Sequence, residues 1–360
     1  MKTLKLKNKE FQLPMFLPDA TRGFVKGVYI KDVENTGING LVVNIYHLLK
    51  EELIGKISRG GRIHKYMNFP GLIISDSGGF QVMSLIRDNK ENGEILDDGV
   101  VFKMDNNSLK LTPENCVRLQ FLISSDIIMC LDDCTRPELG FKEQEKSVER
   151  TIAWAKRCKN EFLELTSSMS ENERPLLFGI IQGGNNKELR RKCAEELIKI
   201  GFDGYAFGGF PVDDNGKFLT GILKFVCELM PDDKAKYAMG VGKPEDIVSC
   251  VEMGYDLFDC VIPTREARNN RLYSYKSKLF GFGLKKLSGN NSFYKYVRVR
   301  NLENKSDNKP ISDKCDCYTC KNFTKAQIYE LFKNKDKESI RLTTIHNLRF
   351  YSQLMERLRG

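Results

Sequence analysis

The chain of 360 residues lacks the features that would direct it into or across a membrane. No window of about eighteen residues is predominantly apolar, which is the length that a membrane-spanning helix requires. The first residues, MKTLKLKNKEFQLP, contain no continuous apolar segment of the kind that a secretory signal peptide needs. We therefore expect a cytoplasmic protein that has no membrane partner.

A glycine-rich G-x-G-x-x-G motif is also missing after the first apolar segment, which weakens the case for a dinucleotide-binding open sheet. Eleven cysteines in a long chain without a secretory signal indicate reduced thiols rather than a disulfide framework. What the chain does have is 41% hydrophobic residues, enough for a substantial core, and a formal net charge of +9. This charge fits a polyanionic partner such as nucleic acid, although alone it is a weak indication.

Short apolar segments alternate with longer amphipathic stretches such as PENCVRLQFLISS and KELRRKCAEELIKIG, which is typical of alternating strands and helices. Eight segments are predicted as strands: 40–46, 71–79, 108–112, 126–133, 176–184, 204–209, 236–242 and 256–264. Strands of nearly continuous apolar residues are buried on both faces, as in a parallel barrel. We therefore predict an α/β fold, a (β/α)8 TIM barrel, with a doubly wound open sheet as the alternative.

The alternation stops after residue 265, where RNNRLYSYKSKLFGFGLKK is basic and typical of a hairpin. The last stretch, LTTIHNLRFYSQLMERL, recovers helical spacing and would supply the last helix of the barrel. We predict two units: residues 1–270 form the barrel, and residues 271–360 form a basic, zinc-binding subdomain together with that final helix.

Polar residues end the predicted strands, and the carboxyl ends of the strands form the active-site rim of such a barrel. The residues of this rim are Asp76, Asp132, Asp133, Gln182, Gly208, Gly209, Met239, Gly240 and Asp259. One aspartate at a strand end is more often a turn former or a helix cap. Acids at the ends of three strands instead indicate a site that binds a planar, hydrogen-bonding molecule and performs acid–base or nucleophilic chemistry on it. Phe80 and Met239 are first interpreted as core residues.

Near the end of the chain, Cys315, Cys317 and Cys320 form a CxCxxC pattern, and His346 follows. Three thiolates and one imidazole complete a tetrahedral Zn2+ shell without an open position, which is the structural rather than the catalytic arrangement. We therefore predict one structural Zn2+, which would tie the segment after the barrel to the final helix.

A basic stretch with interspersed aromatic residues follows the last predicted strand. Its members are Arg265, Arg271, Tyr273, Tyr275, Lys276, Lys278, Lys285, Lys286, Tyr294 and Lys295. Such a stretch could follow a phosphate backbone while its aromatic rings stack on unpaired bases. By itself it is more often a solvated surface, but it gains weight beside an acidic rim that needs an anionic substrate held in place.

At SDSGGFQVMSL, FGIIQGG, GYAFGGFPV, MGVGKPED and FDCVIPTREAR, followed by the CxCxxC and histidine set, the chain closely resembles the tRNA-guanine transglycosylases. The resemblance extends from VNIYHLL to the last helix. It implies a zinc-bearing (β/α)8 barrel that exchanges guanine at the wobble position of a tRNA anticodon for a 7-deazaguanine, in queuosine biosynthesis. It also implies a U-G-U sequence in tRNAs for Asp, Asn, His and Tyr, and a homodimer.

The resemblance implies a role for each matching residue. Asp259 corresponds to the nucleophile that attacks the ribose C1′ and leaves a covalent intermediate, and Asp76 corresponds to the general acid–base residue. The remaining matches are Asp132, Gln182, Gly208, Gly209 and Phe210 for recognition of the base, Phe80 and Met239 for a sandwich around its ring, and Arg265 and Arg268 for the anticodon loop.

Two departures from the family concern residues near the base. Asp133 replaces a Glu found in many relatives, and GGFPVDD (208–214) replaces the GGLAVGE common in bacterial members. Because Pro211 has no N–H, it cannot donate to the nitrile of a 7-cyano base, whereas the preceding carbonyl can accept from an aminomethyl group. We therefore predict a preference for 7-aminomethyl-7-deazaguanine or queuine, with Asp214 in the role of the family's Glu. Cys134 and Val212, expected near the 7-substituent, argue mildly against queuine.

Several alternatives remain open at this point. A queuine-incorporating salvage enzyme would keep the same chemistry, and related enzymes act elsewhere in archaeal tRNA or on DNA. A non-catalytic RNA-binding partner subunit is a different class, against which the presence of both Asp76 and Asp259 counts. A glycoside hydrolase would also use paired acids, but it leaves the CxCxxC pattern and the basic stretch unexplained.

Overall fold

The computed structural model describes residues 2–7, 9–104, 107–136, 139–213, 215–276 and 293–360. Its main feature is an eight-stranded parallel sheet: β1 (Met15–Pro18), β2 (Gly40–Asn44), β3 (Leu72–Asp76), β4 (Ile127–Met129), β5 (Leu176–Ile181), β6 (Gly204–Phe207), β7 (Ala235–Ala238) and β8 (Leu257–Cys260). Neighbouring strands follow the order β1-β8-β7-β6-β5-β4-β3-β2. A parallel bridge between Asp19 and Val42 joins β1 to β2, so the sheet closes into the predicted (β/α)8 barrel.

Seven of the eight predicted strands are barrel strands, and the prediction for 108–112 is wrong. That segment belongs to Asn107–Leu111, the edge of an antiparallel sheet with Gly93–Leu96 and Gly99–Met104 outside the barrel. Four of the five residues of this strand are exposed, which a barrel strand does not allow. Its short apolar pattern therefore belongs to a strand of a surface hairpin and not to a strand of the barrel.

The barrel strand that the sequence analysis missed is β1. It has only four residues, begins directly after Pro14 and ends with Pro18. It follows a small antiparallel hairpin of Thr3–Leu6 and Lys9–Gln12. Proline usually argues against a central strand because it cannot donate to the ladder. Here Pro18 is the last residue of the strand, where this loss matters least.

Side chains of the barrel strands alternate between the barrel interior and the surrounding helices. The interior ones form a single apolar cluster: Met15, Leu17, Val42, Leu72, Ile74, Ile127, Met129, Phe178, Ile180, Ala206, Ala235, Tyr237 and Leu257. Leu4 and Leu6 of the N-terminal hairpin join this cluster. The interior is therefore a packed core and not a channel.

Helices cover the outside of the barrel. Their bounds are Ile30–Asn35, Ile45–Lys50, Leu53–Gly60, Ile63–Met67, Gly79–Asp88, Pro113–Leu122, Phe141–Leu165, Lys187–Ile200, Thr220–Leu229, Pro244–Met253 and Ile262–Arg268, with a 3-10 turn at Lys90–Asn92. Both amphipathic stretches quoted above are confirmed as helices. Thr112 caps one and Asn186 caps the other through side-chain oxygens that accept backbone N–H groups. Within the described ranges, no helix has the length and apolarity needed to span a membrane.

The chain after the barrel returns to it through the final helix. Strands Leu272–Tyr275 and Tyr294–Val297 pair antiparallel. A 3-10 turn and three helices follow: Leu302–Asn304, Tyr318–Asn322, Lys325–Lys333 and Glu338–Arg359. The last of these contacts both Ile30–Asn35 and Pro244–Met253, and so occupies the position of the last barrel helix, as predicted. The ring of Tyr351 lies 4.5 Å from that of Phe16 in β1, and its hydroxyl donates to the Gly242 carbonyl at 2.6 Å.

The prediction that Tyr273 and Tyr275 would stack on unpaired bases is wrong. Both are buried, at 1% and 5% exposure, because the final helix covers them. Their rings stack instead on Phe350, with centroid separations of 5.1 Å and 4.3 Å. Lys278, Lys285 and Lys286 of the same stretch lie outside the described residues.

Candidate active site

A cavity of about 280 Å³ opens at the carboxyl ends of the barrel strands. This is close to the lower end of the roughly 300–1,000 Å³ found for small-molecule pockets. Its lining consists of Asp19, Thr21, Val42, Asn44, Asp76, Phe80, Gln81, Asp132, Cys134, Gln182, Gly208, Gly209, Phe210, Pro211, Tyr237, Met239, Gly240 and Asp259. The structure therefore brings together Asp76 and Asp259 with the residues matched to base recognition and to the sandwich around the ring: Phe80, Asp132, Gln182, Gly208, Gly209, Phe210 and Met239.

Strand alternation explains why these side chains converge. Asp76, Gln182 and Asp259 each lie two positions beyond an interior residue of their own strand. Because alternate residues of a strand point to the same side, each polar side chain adds one layer to the barrel interior. Asp19 does the same at the end of β1, and it was missed because that strand was missed.

Asp76 is held at the end of β3 by an amide. Asn44 Nδ2 donates to the Asp76 carboxylate and to Gln81 Oε1, the latter at 2.9 Å, while Asn44 Oδ1 accepts from the His47 N–H at 3.3 Å. Burial, together with the negative charge of Asp259, raises the pKa of Asp76 to about 6, and the bond from Asn44 opposes this rise. A carboxyl group with a pKa close to neutrality can both give and take a proton.

Asp259 is oriented by two groups from β7 and its end. The Gly240 N–H donates to Asp259 Oδ1 at 2.8 Å, and the Tyr237 side chain forms a second hydrogen bond to the carboxylate. Burial raises the pKa of Asp259, whereas these two bonds lower it. Both donors favour the anion, which is the form in which a carboxylate acts as a nucleophile.

Asp132 and Gln182 form one wall of the cavity. Gln182 Nε2 donates to Asp132 Oδ2 at 2.6 Å. Burial raises the pKa of Asp132 to about 7, and the bond from Gln182 opposes this rise. A Cβ atom at Gly208 would lie 2.5 Å from Gln182 Nε2, so a side chain there would displace the amide. The wall thus presents a carboxylate beside an amide whose position is fixed.

Asp133 does not line this cavity. Arg87 and Arg150 donate to its two carboxylate oxygens, with 2.5 Å between Arg150 Nη1 and Oδ2. Its N–H donates to the Thr151 hydroxyl at 3.0 Å. Asp133 therefore fixes the segment after β4 against the helix Phe141–Leu165, and its contacts are those of a structural residue.

A buried arginine that the sequence analysis did not single out joins the ends of β5 and β6. Arg190 Nε donates to the Gly184 carbonyl at 2.9 Å, and Nη1 donates to the carbonyls of Gly208, at 2.9 Å, and Ile181. Burial lowers the pKa of Arg190 to about 10, and no carboxylate among the described residues forms an ion pair with it. Its guanidinium therefore fixes the backbone that carries Gln182. In the sequence it was one of several charged residues on an amphipathic helix, so no motif distinguished it.

Apolar side chains form other parts of the cavity wall. The rings of Phe80 and Phe210 meet edge to face, with 5.6 Å between their centroids. Phe80 is 40% exposed, so it is not a core residue. Met239, in contrast, packs partly against the interior cluster of the barrel. Val212 is not among the lining residues and instead forms a bridge with Phe218.

Arg265 and Arg268 lie on the helix Ile262–Arg268, directly after β8. The Arg265 side chain is 52% exposed. Arg268 lines a second cavity of about 530 Å³ together with four other cations, Arg300, Lys333, Lys335 and Lys337. Basic side chains therefore extend from the helix after β8 to the segment after the barrel.

The predicted metal ligands Cys315, Cys317, Cys320 and His346 lie together, with their donor atoms all within 4.8 Å of one another. His346 Nε2 lies 2.7 Å from the Tyr273 carbonyl and donates to it, so Nδ1 is the nitrogen left to face a metal. This Nδ1 lies 3.2 Å from Cys320 Sγ. The group could hold a metal ion, and its donor set fits the closed tetrahedral shell of structural Zn2+.

A closed (β/α)8 barrel with buried carboxylates at the carboxyl ends of its strands defines a class of enzymes that place acid–base and nucleophilic groups around a small substrate. The family model described as Queuine tRNA-ribosyltransferase matches residues 1–360. The chain belongs to the queuine tRNA-ribosyltransferase family.

Individual relatives agree with this membership. The queuine tRNA-ribosyltransferase of Psychrobacter sp. (strain PRwf-1) is 39% identical over 359 residues, covering 99% of this chain and 88% of the relative. That of Actinobacillus pleuropneumoniae serotype 3 (strain JL03) is 41% identical over 350 residues, covering 97% and 84%. That of Haemophilus ducreyi (strain 35000HP / ATCC 700724) is 40% identical over the same length, with the same coverage.

Proposed function

We propose that the protein is a tRNA-guanine transglycosylase that exchanges guanine at the anticodon wobble position for a 7-deazaguanine through a covalent Asp259–ribose intermediate. One observation carries the proposal: a single cavity holds Asp259, whose two donors favour its anion, and Asp76, whose pKa is raised to about 6. An N-glycosidic exchange needs these two functions, a nucleophile for C1′ and a group that moves a proton.

The reaction has two halves that mirror each other. In the first, a carboxylate oxygen of Asp259 bonds to the ribose C1′ while the C1′–N9 bond breaks, and Asp76 donates the proton that the departing guanine needs. In the second, Asp76 takes a proton from the incoming base, whose nitrogen bonds to C1′ and releases Asp259. The protein ends in its starting protonation state, and the kinetics are ping-pong.

Base recognition falls to the wall that Asp132 and Gln182 form. Asp132 would accept from the N1–H and 2-amino groups of guanine, while Gln182 and the backbone at Gly208, Gly209 and Phe210 would address the O6 edge. Phe80 and Met239 would sandwich the ring, and the partial exposure of Phe80 supports this role over core packing.

The incoming base that we propose is 7-aminomethyl-7-deazaguanine, with queuine as the alternative. Pro211 offers no N–H to a 7-cyano group. The carbonyl before it, that of Phe210, accepts no hydrogen bond from the described residues and is available to an aminomethyl group. The Pro211 carbonyl accepts from the Leu219 N–H at 2.9 Å, which helps to fix this loop.

Of the two side chains expected near the 7-substituent, only Cys134 lines the cavity. Asp214, proposed in the role of the family's Glu, lies outside the described residues. Exchange assays with the 7-aminomethyl base, the 7-cyano base and queuine test base choice, and efficient use of the 7-cyano base would contradict the proposal.

The proposed macromolecular substrate is a tRNA with a U-G-U anticodon-loop sequence, from those for Asp, Asn, His and Tyr. The net charge of +9 and the cations around Arg268 support a polyanionic partner, and Arg265 and Arg268 would contact the anticodon loop. We further propose a cytoplasmic homodimer with one structural Zn2+ per subunit, divided into a catalytic barrel of residues 1–270 and a zinc-binding unit of residues 271–360 with the final barrel helix.

Trapping tests the proposed chemistry. The enzyme is incubated with a tRNA anticodon stem-loop, denatured, and examined for a covalent protein–RNA adduct. We expect an adduct that is lost in Asp259→Asn and kept in Asp233→Asn, a control whose side chain is 72% exposed. An undiminished adduct in Asp259→Asn would refute the nucleophile, and binding of RNA without any adduct would favour a non-catalytic partner subunit.

A further inference from the structure

A further carboxylate, that of Asp19, lines the cavity beside the proposed nucleophile. Strand β1 pairs with β8 so that Leu17 is the partner of Asp259, and Asp19 lies two positions further along the chain. Both acids therefore point toward the barrel axis. The negative charge of Asp19 contributes to raising the pKa of Asp259, which agrees with their proximity. The reaction proposed above assigns no task to Asp19.

The contacts of Asp19 leave half of its carboxylate uncommitted. The Thr21 N–H donates to Oδ1 at 3.2 Å, and the Thr21 hydroxyl donates to the same oxygen. Among the described residues, Oδ2 accepts no hydrogen bond and forms no ion pair. A turn of this kind needs only one oxygen. The second oxygen is therefore available to a hydroxyl or amide donor in the cavity.

The order of the strands around the barrel indicates which part of the bound nucleotide lies next to Asp19. The residues proposed to form hydrogen bonds with the base lie at the ends of β4, β5 and β6, and the nucleophile lies on β8. Asp19, at the end of β1, lies between Asp259 on β8 and Asn44 on β2. With the base on the side of β4 to β6 and C1′ at Asp259, the sugar extends toward β1 and β2.

A nucleotide inside an RNA strand has one free sugar hydroxyl, because its 3′ and 5′ oxygens belong to phosphodiesters. That hydroxyl, on C2′, is bonded to the carbon next to C1′ and is the feature by which a protein distinguishes RNA from DNA. A carboxylate oxygen is a strong acceptor for it, since hydrogen bonds to ionised groups are about twice as strong as neutral ones.

We propose that Asp19 accepts a hydrogen bond from the 2′-hydroxyl of the target nucleotide and makes the enzyme select a ribonucleotide over a deoxyribonucleotide at that position. The inference rests on the proposed function. A deoxynucleotide would cover Asp19 Oδ2 without replacing the hydrogen bonds of the displaced water. Sites built to bond a hydroxyl discriminate strongly for this reason.

The test uses two anticodon stem-loops that differ only at the target guanosine, which is either ribo or 2′-deoxy. Single-turnover adduct formation is measured for the unmodified enzyme, Asp19→Ala and Asp19→Asn. We expect the ribo-to-deoxy rate ratio of the unmodified enzyme to exceed that of Asp19→Ala by on the order of 10- to 100-fold, which corresponds to one hydrogen bond to a charged group. The comparison between enzymes cancels the greater intrinsic reactivity of the 2′-deoxy substrate. Asp19→Asn, which keeps a neutral acceptor, should give an intermediate ratio.

Thr21→Val tests whether the ribo preference depends on the turn that holds Asp19 rather than on its Oδ2 atom. The variant removes the hydrogen bond from the Thr21 hydroxyl to Oδ1 and leaves Oδ2 unchanged. It should slow both substrates by the same factor and preserve the ribo preference. An unchanged ribo-to-deoxy ratio in Asp19→Ala would overturn the inference and leave the proposed function standing. Failure of the unmodified enzyme to form an adduct with either substrate would overturn the proposed function, and this inference with it.

Discussion

Gln182 and Asp132 form a hydrogen bond of 2.6 Å across the ends of β5 and β4, and this pair faces the cavity in which the base would bind. The bond leaves Asp132 Oδ1 for donors of the bound molecule. It also opposes the burial that raises the pKa of Asp132 to about 7. Donors from guanine would further favour the carboxylate form.

Asp132→Asn tests this part of the site, because an amide can present a donor where the proposed base also presents donors. We expect kcat/KM for exchange to fall by on the order of 100- to 10,000-fold, the combined worth of two hydrogen bonds to a charged group at about 1.5–3 kcal/mol each. The measurement is steady-state incorporation of labelled guanine. A variant with unchanged kcat/KM would remove Asp132 from base recognition.

The pH dependence of the second half-reaction, measured by adding the base to the preformed protein–RNA adduct, should report Asp76. Its carboxylate must be unprotonated to accept a proton from the incoming base, so base incorporation should fall as the pH drops through about 6. Asn44→Ala removes the hydrogen bond that lowers the pKa of Asp76, so the acidic limb should move to higher pH. Burial also raises the pKa of Asp259 and of Asp132, which line the same cavity, so the test compares the variant with the parent. An acidic limb at the same pH in Asn44→Ala and in the parent would show that Asp76 is not the titrating group.

Asp76→Asn should stabilise the fold while it abolishes exchange. The folded-state pKa of about 6 lies above the ordinary aspartate pKa of 3.8, so ionisation of Asp76 opposes folding. This free-energy cost is absent when the pH is below the pKa of Asp76 in the unfolded chain. It grows as the pH rises between the unfolded and folded pKa values, and it reaches its full size above about pH 6. The variant should therefore have a higher Tm than the parent at pH 7, and the difference should vanish near pH 4. An equal Tm at pH 7 would contradict the buried, destabilised carboxylate.

Arg190→Met should destabilise the protein and raise KM, because it leaves the carbonyls of Ile181, Gly184 and Gly208 without their shared donor. Losing buried partners of this kind costs roughly 1–3 kcal/mol for each carbonyl left unsatisfied. Arg191→Met is the matched control, since the neighbouring Arg191 is exposed and its guanidinium lies over the Phe225 ring at 5.2 Å. Equal Tm values for the two variants would contradict the anchoring role of Arg190.

Removal of the metal should loosen the segment after the barrel. We expect one Zn2+ per chain by elemental analysis, and a lower Tm after chelation or in Cys320→Ser, because the ligands join the CxCxxC turn to the final helix. Cys227→Ser, which changes a buried thiol outside the cluster, should keep the metal. Full metal content in Cys320→Ser would exclude the proposed ligand set.

The sequence predicted the barrel and most of its rim because both follow from short-range patterns. Apolar segments that end in Asp76, Gln182 and Asp259 carry the strand period and the polar ending in one stretch. Strand β1 has four residues next to prolines, so its period was too short to identify, and Asp19 was lost with it. Arg190 could not be identified because its role depends on carbonyls brought to it by two other strands.

The buried tyrosines illustrate a second limit. Tyr273 and Tyr275 are separated by a polar serine, as they would be on an exposed hairpin. Rings of the final helix, more than sixty positions later, pack against them together with rings of residues 293–296. Burial by a distant element leaves no trace in local composition. The zinc ligands were easier to predict from the sequence. A CxCxxC pattern occurs in few kinds of site other than a metal site, and it needs only one further donor to complete a four-ligand shell.

A covalent bond between Asp259 and the ribose can be located by mass spectrometry. The reaction with the stem-loop is denatured and digested with trypsin and ribonuclease, and the resulting peptides are fragmented. We expect a ribose phosphate that lacks its base, attached to Asp259 in the peptide that ends at Arg265. Attachment at Asp76 or any other residue, or base exchange without an attached ribose, would contradict it.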